Sequence, residues 1–314
     1  MNADLIFDPL LAALVLFAAI SAVAARRTFA GVVGFVSYGL ALSLVWVRLA
    51  AVDVALTEAA IGALTGALLL AAAARLRASE GLSESERAGR ALRAVAALLC
   101  AAVSAALAAA GLSLPESAPS LAPAAAASLP QTGVGNPVTA ALMAWRAIDT
   151  LLEKIVVLMA LLAVWSLARD GAWGGRPGDA PSARRDDALV FLARMLPPLG
   201  IVVGVYLVWN SADEPGGAFQ GGALLAAMWL LARMAGLVDA PRIGARGLRL
   251  LLVSGPLAFL AVGLAGFAWA GGFLAYPEGW EKPLILLVEA PMLLMIAAVL
   301  ALLIDGPPTR TDDR

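Results

Sequence analysis

The stretch WRAIDTLLEKIVVLMALLAVWSLAR, residues 145–169, decides the fold. It is apolar and long enough to cross a membrane, but its first turns carry Arg146, Asp149, Glu153 and Lys154. At about 3.6 residues per turn, the first three lie on one helical face, while Lys154 points about 100° away from Glu153. An ionised side chain costs roughly 2.5 to 3.5 kcal/mol at the bilayer centre, so it usually faces protein or water and often marks an ion path. We therefore expect this face to carry the function.

The composition predicts an all-α integral membrane protein. Hydrophobic residues make up 61% of 314 positions and charged residues 14%, well below the roughly 25% charged residues of soluble domains. The mean hydropathy is +0.88. Apolar runs long enough to cross the ~30 Å hydrocarbon core predict about nine transmembrane helices. They lie near residues 5–25, 29–48, 54–74, 91–112, 144–168, 188–209, 217–238, 248–271 and 283–304.

The basic residues predict the orientation of these spans, because cytoplasmic loops carry an excess of Lys and Arg. They concentrate in alternate connections and in the tail, whereas Arg48 and Lys282 lie near the edges of the intervening connections. The amino terminus is therefore expected outside and the carboxyl terminus in the cytoplasm, as in a multi-pass protein of the cell inner (plasma) membrane. Asp4 and Asp8 precede the first run and Arg26 follows it, so we expect a span and not a cleavable signal peptide.

Several functional classes are excluded by the residue types present. The basic residues are spread along one membrane side and form no aromatic-laced patch, which argues against nucleic acid as a partner. The sequence has one cysteine, Cys100, and no histidine, so it cannot assemble a disulfide framework, a zinc site, a thiolate iron-sulfur cluster or a histidine-ligated haem. We expect no catalytic residue, metal or cofactor in this chain, and therefore no enzyme.

A carboxylate also lies inside the third run, DVALTEAAIGALTGALLLAAAAR, at Glu58. Its helical face otherwise carries small residues and one leucine, and is therefore expected to pack against protein. These residues are Gly62, Thr65, Gly66 and Leu69. A carboxylate in such a place suits proton exchange. The alternative is a static hydrogen bond to a neighbouring helix.

The connection WNSADEPGGAFQGGALLAAMWLL, which starts at residue 209, combines a proline with several glycines. Pro215 and Gly216 suit the two central positions of a type II turn. Gly217, Gly221 and Gly222 leave the following helix open to close backbone contact. A phosphate-binding loop is disfavoured because no Lys-Ser/Thr pair follows and the preceding segment is helical. A tight interhelical turn is the favoured interpretation.

Glu289 lies within the last apolar run, KPLILLVEAPMLLMIAAVLALLID, two residues before Pro291. A proline inside a helix removes a backbone hydrogen bond and can free carbonyls beside the carboxylate. Ion transport and a purely structural role are both open for this residue.

Segment composition predicts the domain organisation. Residues 170–187 combine glycine, proline and mixed charge, as exposed linkers do. We predict a three-helix domain over 1–90, a two-helix domain over 91–170, a cytoplasmic linker over 171–187, a four-helix domain over 188–304 and a polar tail over 305–314.

Three motifs resemble one family, in a fixed order. DVALTEAAIGA at 53–63 resembles the D-x-A-L-T-E helix of a small domain of the large Mrp antiporter subunit and of membrane-bound hydrogenases. NPVTAALMAWRAIDTLLEKIVVL at 136–158 resembles the next domain of those complexes, and PGGAFQGGALLAA at 215–227 resembles a turn of the Mrp B-type subunit. The chain is thus similar to a fusion of two small hydrogenase-type membrane domains with an Mrp B-type subunit.

The resemblance carries residues over by position. The matched residues are Asp53, Thr57 and Glu58, then Arg146, Asp149, Thr150 and Glu153, then Pro215, Gly216, Gly217, Phe219, Gln220, Gly221 and Gly222. The sequence departs from the pattern at four positions. Ala147, Leu152 and Ala218 replace family glycines, and Lys154 stands where the family is usually apolar.

The resemblance implies a non-redox membrane subunit of a multisubunit Na⁺/proton antiporter or antiporter-like module. Its partners would be other membrane subunits of an Mrp-type or hydrogenase-type complex, the lipid bilayer, Na⁺ and protons. We expect Glu58, Asp149, Glu153 and Glu289 to line or flank a hydrated ion path. Lys154 and Arg146 would adjust the proton affinity of these carboxylates. The alternative is a structural or assembly subunit of an energy-converting respiratory complex, with no ion path of its own.

Overall fold

The computed structural model describes residues 3–25, 27–62, 89–114, 120–178 and 187–311, and nearly every described element is a helix. The predicted features at Thr65, Gly66 and Leu69 lie outside the described residues, as do most of the charged loop 76–90, part of the linker and the end of the tail.

The amino-terminal half contains α1 (Ala3–Ala24), α2 (Thr28–Arg48), α3 (described over 52–62), α4 (Arg90–Leu112), α5 (Ala122–Ser128), a 3₁₀ turn (Leu129–Thr132), α6 (Pro137–Ala140), a π-helical turn (Ala141–Trp145) and α7 (Ala147–Trp165). A 3₁₀ turn (Asp170–Ala172) and strand β1 (Arg176–Pro177) follow. The carboxyl-terminal half contains α8 (Asp187–Trp209), α9 (Ala218–Met234), α10 (Arg246–Trp269), α11 (Glu281–Asp305) and strand β2 (Pro308–Arg310), which pairs antiparallel with β1.

Six described helices are long and apolar enough to span a membrane: α1, α2, α4, α8, α10 and α11. Helix α9 is apolar but has 17 residues. Helix α7 has 19 residues and carries the charged side chains of Asp149, Glu153 and Lys154. The prediction of a helical, multi-pass membrane protein is therefore confirmed, whereas about nine spans and their orientation stay predictions.

Helix α11 forms the centre of the carboxyl-terminal half. It packs against α9, α10, α7 and α8, and 67% of the residues in its most apolar stretch are buried. Val288, Met295, Val299 and Leu302 are fully enclosed. A helix that is apolar on most of its surface is buried on most of it, and here one stripe with Leu287 and Leu294 stays exposed. Glu289 lies on the buried side of α11 and faces protein.

Close helix approach depends on glycine at the predicted positions of α9. A Cβ atom added at Gly221 would lie 2.7 Å from the carbonyl oxygen of Gly204 in α8. A Cβ atom added at Gly222 would lie 2.7 Å from Ile296 in α11. The expected close backbone contact of this helix is therefore present, because only glycine leaves room for the neighbouring backbone.

The central helix is interrupted, which the sequence interpretation of one continuous helix over 144–168 missed. The π-helical turn ends at Arg146, whose φ of −132° and ψ of 38° lie outside the helical region. The Thr150 hydroxyl donates to the carbonyl oxygen of Leu142 at 2.6 Å, and the Tyr276 hydroxyl donates to that of Met143 at 3.0 Å. Side chains thus satisfy carbonyls at the break, as non-helical backbone at membrane depth requires.

The segment before this break, residues 112–143, is not irregular throughout. Part of the proline- and alanine-rich stretch 112–143 is helical, in α5, the following 3₁₀ turn and α6. Proline stands at a first-turn position of each of these short helices. A backbone N–H there would have no acceptor within the helix, so the absence of an N–H in proline costs no helical hydrogen bond.

The opposite end of the molecule is held by arginine and aspartate. Arg310 of β2 donates to Asp239 at 2.6 Å and 3.1 Å, and this hydrogen bonding holds the pKa of Asp239 below its usual range. Arg233 of α9 pairs with Asp305 at the end of α11, and both side chains are buried. The tail is thereby attached to the α9–α10 connection.

Substitution of Gly221 by alanine tests the close α8–α9 contact. The added methyl would meet backbone and Leu293, so Gly221→Ala should cost about 1–3 kcal/mol by overpacking. Gly247→Ala is the matched control because its Cβ would meet open space in the first turn of α10. Thermal unfolding of the purified protein in detergent should show a lower midpoint for Gly221→Ala alone. Equal midpoints would show that the contact is loose.

Candidate functional site

A cavity of about 290 Å³ collects residues from all three motifs. Its polar lining comes from α3, α6, the start of α7, the turn before α9 with the first residues of α9, and α11. These lining residues are Asp53, Thr57, Thr139, Thr150, Glu153, Lys154, Gly216, Gly217, Gln220 and Glu289. Apolar side chains, among them Phe219 and Met292, complete the wall. Elements distant in sequence therefore meet at one partly open cavity, whose mostly apolar wall carries these polar groups.

Two carboxylates meet the amino-terminal end of α9 inside this cavity. The backbone N–H of Gly216 donates to Asp53 Oδ1 at 3.0 Å, and the N–H of Ala218 donates to Glu289 Oε1 at 3.4 Å. The first N–H groups of a helix have no acceptor within the helix, and the helix dipole favours negative charge there. Glu289 of the last helix thus binds the N–H of the first residue of α9, and Asp53 of the first motif binds the N–H of the residue just before the N-cap residue Gly217.

The glycines before α9 allow this arrangement, but the predicted type II turn is wrong. Gly216 and Gly217 have φ values of +154° and +148°, which L side chains rarely adopt. A type II turn needs a φ near about +80° at its third residue. The chain reverses earlier, at 210–214, where the N–H groups of Asp213 and Glu214 donate to the Asn210 carbonyl. The glycine pair then runs extended past the carboxylates.

Glu289 is the most enclosed of these acids, with 7% of its surface exposed. The hydroxyl of Ser211, in the turn after α8, donates to Glu289 Oε2 through a short hydrogen bond. A buried carboxylate needs partners for its oxygens. Both oxygens of Glu289 are met, one by Ser211 and one by Ala218.

Asp53 joins the first motif to the other two. Its Oδ2 accepts from the side-chain amide of Asn136 at 3.4 Å, while Asn136 also donates to the carbonyl of Glu214 at 3.0 Å. One turn further along α3, the Thr57 hydroxyl accepts from the Gln220 amide at 3.1 Å. These bonds connect α3 to both the α6 start and the α9 start.

Lys154, which stands where the resembling family is usually apolar, is buried with 3% of its surface exposed. Its ammonium pairs with Glu153 Oε1 at 2.6 Å and lies 5.4 Å from the centroid of the Phe219 ring. A cation over an aromatic face is stabilised by the ring quadrupole. Lys154 therefore places a positive charge in the wall that it shares with Glu153, Asp53 and Glu289.

Three predicted site residues, Arg146, Asp149 and Glu58, lie outside the cavity lining. Arg146 and Asp149 pair with each other at 2.5 Å and are 76% and 53% exposed at the side chain, beside the break in the central helix. Glu58 points from α3 towards α2, where its Oε1 lies 3.8 Å from a Cβ built on Gly39. The described structure thus separates these three residues from the cavity lining.

Sequence reasoning did not select Asn136 and Ser211 as site residues. Asn136 caps α6 by accepting from the Val138 N–H at 2.8 Å, and asparagine before a proline is a recognisable helix start. No sequence signal identifies Ser211, because its role depends on where α8 ends relative to Glu289.

Tryptophans mark one end of four of these helices. Trp145, Trp209, Trp269 and Trp280 lie where α7 and α11 begin and where α8 and α10 end, and such residues favour the membrane interface. At 1.5 Å per residue, Glu153 lies about 12 Å and Glu289 about 13 Å inward from this belt. Beyond the cavity, α7 and α11 are joined by buried apolar side chains, including Leu161 and Met295.

Thiol labelling tests whether water reaches the cavity. With the exposed Cys100 replaced by serine, Val138→Cys places a thiol in the lining and Leu161→Cys places one in the enclosed apolar cluster. A membrane-impermeant methanethiosulfonate should modify the first and leave the second unmodified, as mass spectrometry would show. Protection of Val138→Cys equal to that of Leu161→Cys would mean that the cavity is dry.

Two family models match separate parts of the chain. Residues 188–305 match the family described as a domain related to the MnhB subunit of Na⁺/H⁺ antiporter, and residues 13–78 match MbhD, a family of MBH subunits. An uncharacterized protein of Methanocaldococcus jannaschii is 30% identical over 158 residues, which are 45% of this chain and 60% of that protein.

Two solved structures share the fold. A chain of the Mrp complex from Dietzia sp. DQ12-45-1b superposes with a TM-score of 0.76 at 25% identity, over 97% of this chain and 35% of that chain. A chain of the archaeal membrane-bound sulfane sulfur reductase gives a TM-score of 0.52 at 23% identity, over 68% of this chain and 97% of that chain. The chain therefore spans about a third of the Mrp chain and three fifths of the M. jannaschii protein.

The resemblance inferred from the motifs is confirmed by these matches. The MbhD match covers the second half of α1, α2 and the described part of α3, and the MnhB-related match covers α8 to α11. The chain therefore joins, in one polypeptide, a segment that matches the MbhD family and a segment that matches the domain related to the MnhB subunit of Na⁺/H⁺ antiporter, and it is similar to a chain of the Mrp complex.

Proposed function

We propose that this chain is a non-redox subunit of a multisubunit Na⁺/proton antiporter or antiporter-like module, and that its cavity forms part of a proton or sodium path. The observation that carries the proposal is the cavity itself. It brings Asp53 of the first motif, Glu153 and Lys154 of the second and Glu289 of the last helix together in one lining. Ionisable groups inside a membrane are costly and commonly mark ion or proton paths.

In this proposal, the polar side chains along the cavity wall transfer a cation or a proton from one to the next. Glu153 is 46% exposed at its side chain, whereas its partner Lys154 is 4% exposed, so the pair connects the chain's surface to its interior. Glu289 lies on the inner wall and Asp53 on the wall from α3. Beyond Glu289, the apolar cluster of α7 and α11 closes the way to the arginine-rich end. The proposed path therefore covers one half of the membrane in this chain.

Glu58, Asp149 and Arg146 flank this path in the proposal, because they lie outside the cavity lining. Thr57 contributes through its hydrogen bond with Gln220. The chain would make or break no covalent bond.

The cellular setting belongs to the same proposal. Other membrane subunits of an Mrp-type or hydrogenase-type complex would surround the chain in the inner membrane. The chain would cross the bilayer about nine times, with the tryptophan belt outside and the arginine-rich end in the cytoplasm. The division at 1–90, 91–170, 171–187, 188–304 and 305–314 is retained as its domain organisation.

A structural subunit is the second candidate, and the helix cap at α9 favours it. Asp53 and Glu289 are both engaged by backbone N–H groups, and Asp53 ties α3 to the turns before α6 and α9. Capping interactions stabilise helix ends without any transport. In this alternative the carboxylates hold three modules together and move no ion.

Neutral isosteres separate the two candidates. Glu289→Gln and Glu153→Gln keep side-chain size but cannot exchange a proton, so cation-dependent proton flux in everted vesicles should fall by about 10²-fold, the scale of a positioned proton-transfer group. Glu58→Gln, which flanks the cavity, should have a smaller effect. The amount of assembled complex, measured by co-purification, should stay unchanged in all three.

Asp213→Asn is the matched control, because Asp213 lies in the same turn region but forms an exposed pair with Lys282 at 2.6 Å. Its flux should equal that of the unmodified complex. Unchanged flux in Glu289→Gln and Glu153→Gln would contradict the ion path. Loss of assembled complex in place of flux would support the structural alternative.

A further inference from the structure

The outward face of α7, defined by Asp149, Glu153, Val156, Ala160 and Ala163, carries charge where a lipid-facing surface should be apolar. These residues fall within an arc of about 80° around the helix, and all five are exposed. The opposite side of α7 packs against α10 and α11. Glu153 lies about 12 Å inward from Trp145 along the helix, well inside the hydrocarbon core.

Helix α10 shows what a lipid-facing surface of this chain is like. Its outermost positions are Leu250, Leu257 and Leu264, exposed by 68%, 62% and 61%. They repeat every seven residues and form an entirely apolar stripe. The outward face of α7 differs from it by two carboxylates and by two alanines, which permit a neighbouring helix to approach closely.

Some polar side-chain atoms on this face have no hydrogen-bond partner among the described residues. Lys154 occupies Glu153 Oε1, and within the described residues Oε2 has no hydrogen bond. Arg146 uses its Nε towards Asp149, and its other guanidinium nitrogens have no hydrogen bond within the described residues. Polar groups in hydrocarbon need protein or water partners. A partner that fits this face would place a hydrogen-bond donor opposite Glu153. It would place an acceptor opposite Arg146, closer to the membrane–water interface.

Helix α4 of the same chain does not fit this requirement. It is exposed along its length, but between Ala94 and Leu112 its polar side chains are those of Cys100 and Ser104, with no cation among them. Helix α4 therefore supplies no basic or amide side chain for this face between Ala94 and Leu112.

We propose that the outward face of α7 is an interface for a transmembrane helix of another subunit, which places a basic or amide side chain against Glu153 and packs closely on Ala160 and Ala163. This inference rests on the proposed function in requiring a multisubunit complex. It adds which surface meets the partner and which chemistry the partner presents. The interface would continue the cavity wall laterally, since Glu153 belongs to both.

Site-specific photo-crosslinking in membranes of the native host tests this interface. p-Benzoylphenylalanine at Val156, which is 65% exposed, should give adducts several-fold more abundant than the same residue at Leu257. Peptide mapping should place the adduct in a transmembrane helix of a different polypeptide, within one turn of a Lys, Arg, His, Asn or Gln. An adduct with residues 90–112 of the same chain would overturn the proposal, as would a yield equal to that at Leu257.

A charge reversal provides a second measurement that does not depend on crosslinking chemistry. Glu153→Lys should reduce the crosslinked partner's co-purification several-fold, whereas Glu153→Gln, which still accepts a hydrogen bond, should retain it. Equal retention of the partner by both variants would contradict the proposed contact. Because these readouts follow assembly and not flux, they fail or succeed independently of the proposed ion path.

Discussion

The binding of two carboxylates by backbone N–H groups at the start of α9 is the interaction on which the rest of the site depends. Asp53 comes from the MbhD domain and Glu289 from the last helix of the MnhB-related domain, and each accepts an N–H from the Gly216–Ala218 segment. The helix terminus favours negative charge, and the extended glycine pair lets both acids approach. One helix end thus fixes the relative position of two domains and leaves two carboxylates facing the same cavity.

The membrane imposes the second constraint, because backbone groups cannot rely on water there. The π-helical turn before α7 breaks the helical ladder, and Thr150 and Tyr276 satisfy two of its carbonyls. This break lies where the cavity, the exposed Arg146–Asp149 pair and the tryptophan belt come together. The irregular backbone is therefore confined to a place lined by protein and polar groups. In the proposed topology, the same reasoning requires a protein or water partner for the exposed side chain of Glu153.

Much of this could be predicted from the sequence, for identifiable reasons. Apolar run length gave the membrane class, and glycines at close positions in α9 gave the helix packing, because both are local properties. Glu153 and Glu289 were selected because a charge in an apolar run is conspicuous. Their meeting with Asp53 could not be predicted, since it depends on the packing of distant helices. The turn type was wrong because Pro215 and Gly216 indicate a local turn, while the actual φ angles are set by the bonds to Asp53 and Glu289.

A double-mutant cycle tests most directly whether Asp53 and Glu289 act on one site. Cation-dependent proton flux would be measured in vesicles containing the complex with Asp53→Asn, Glu289→Gln or both, after normalisation to the amount of assembled complex. Residues that share a network show interaction energies of about 0.5–3 kcal/mol, so the combined loss should differ from the product of the single losses by at least about twofold. Losses that simply multiply would show that the two carboxylates work independently, and would contradict the shared site at the start of α9.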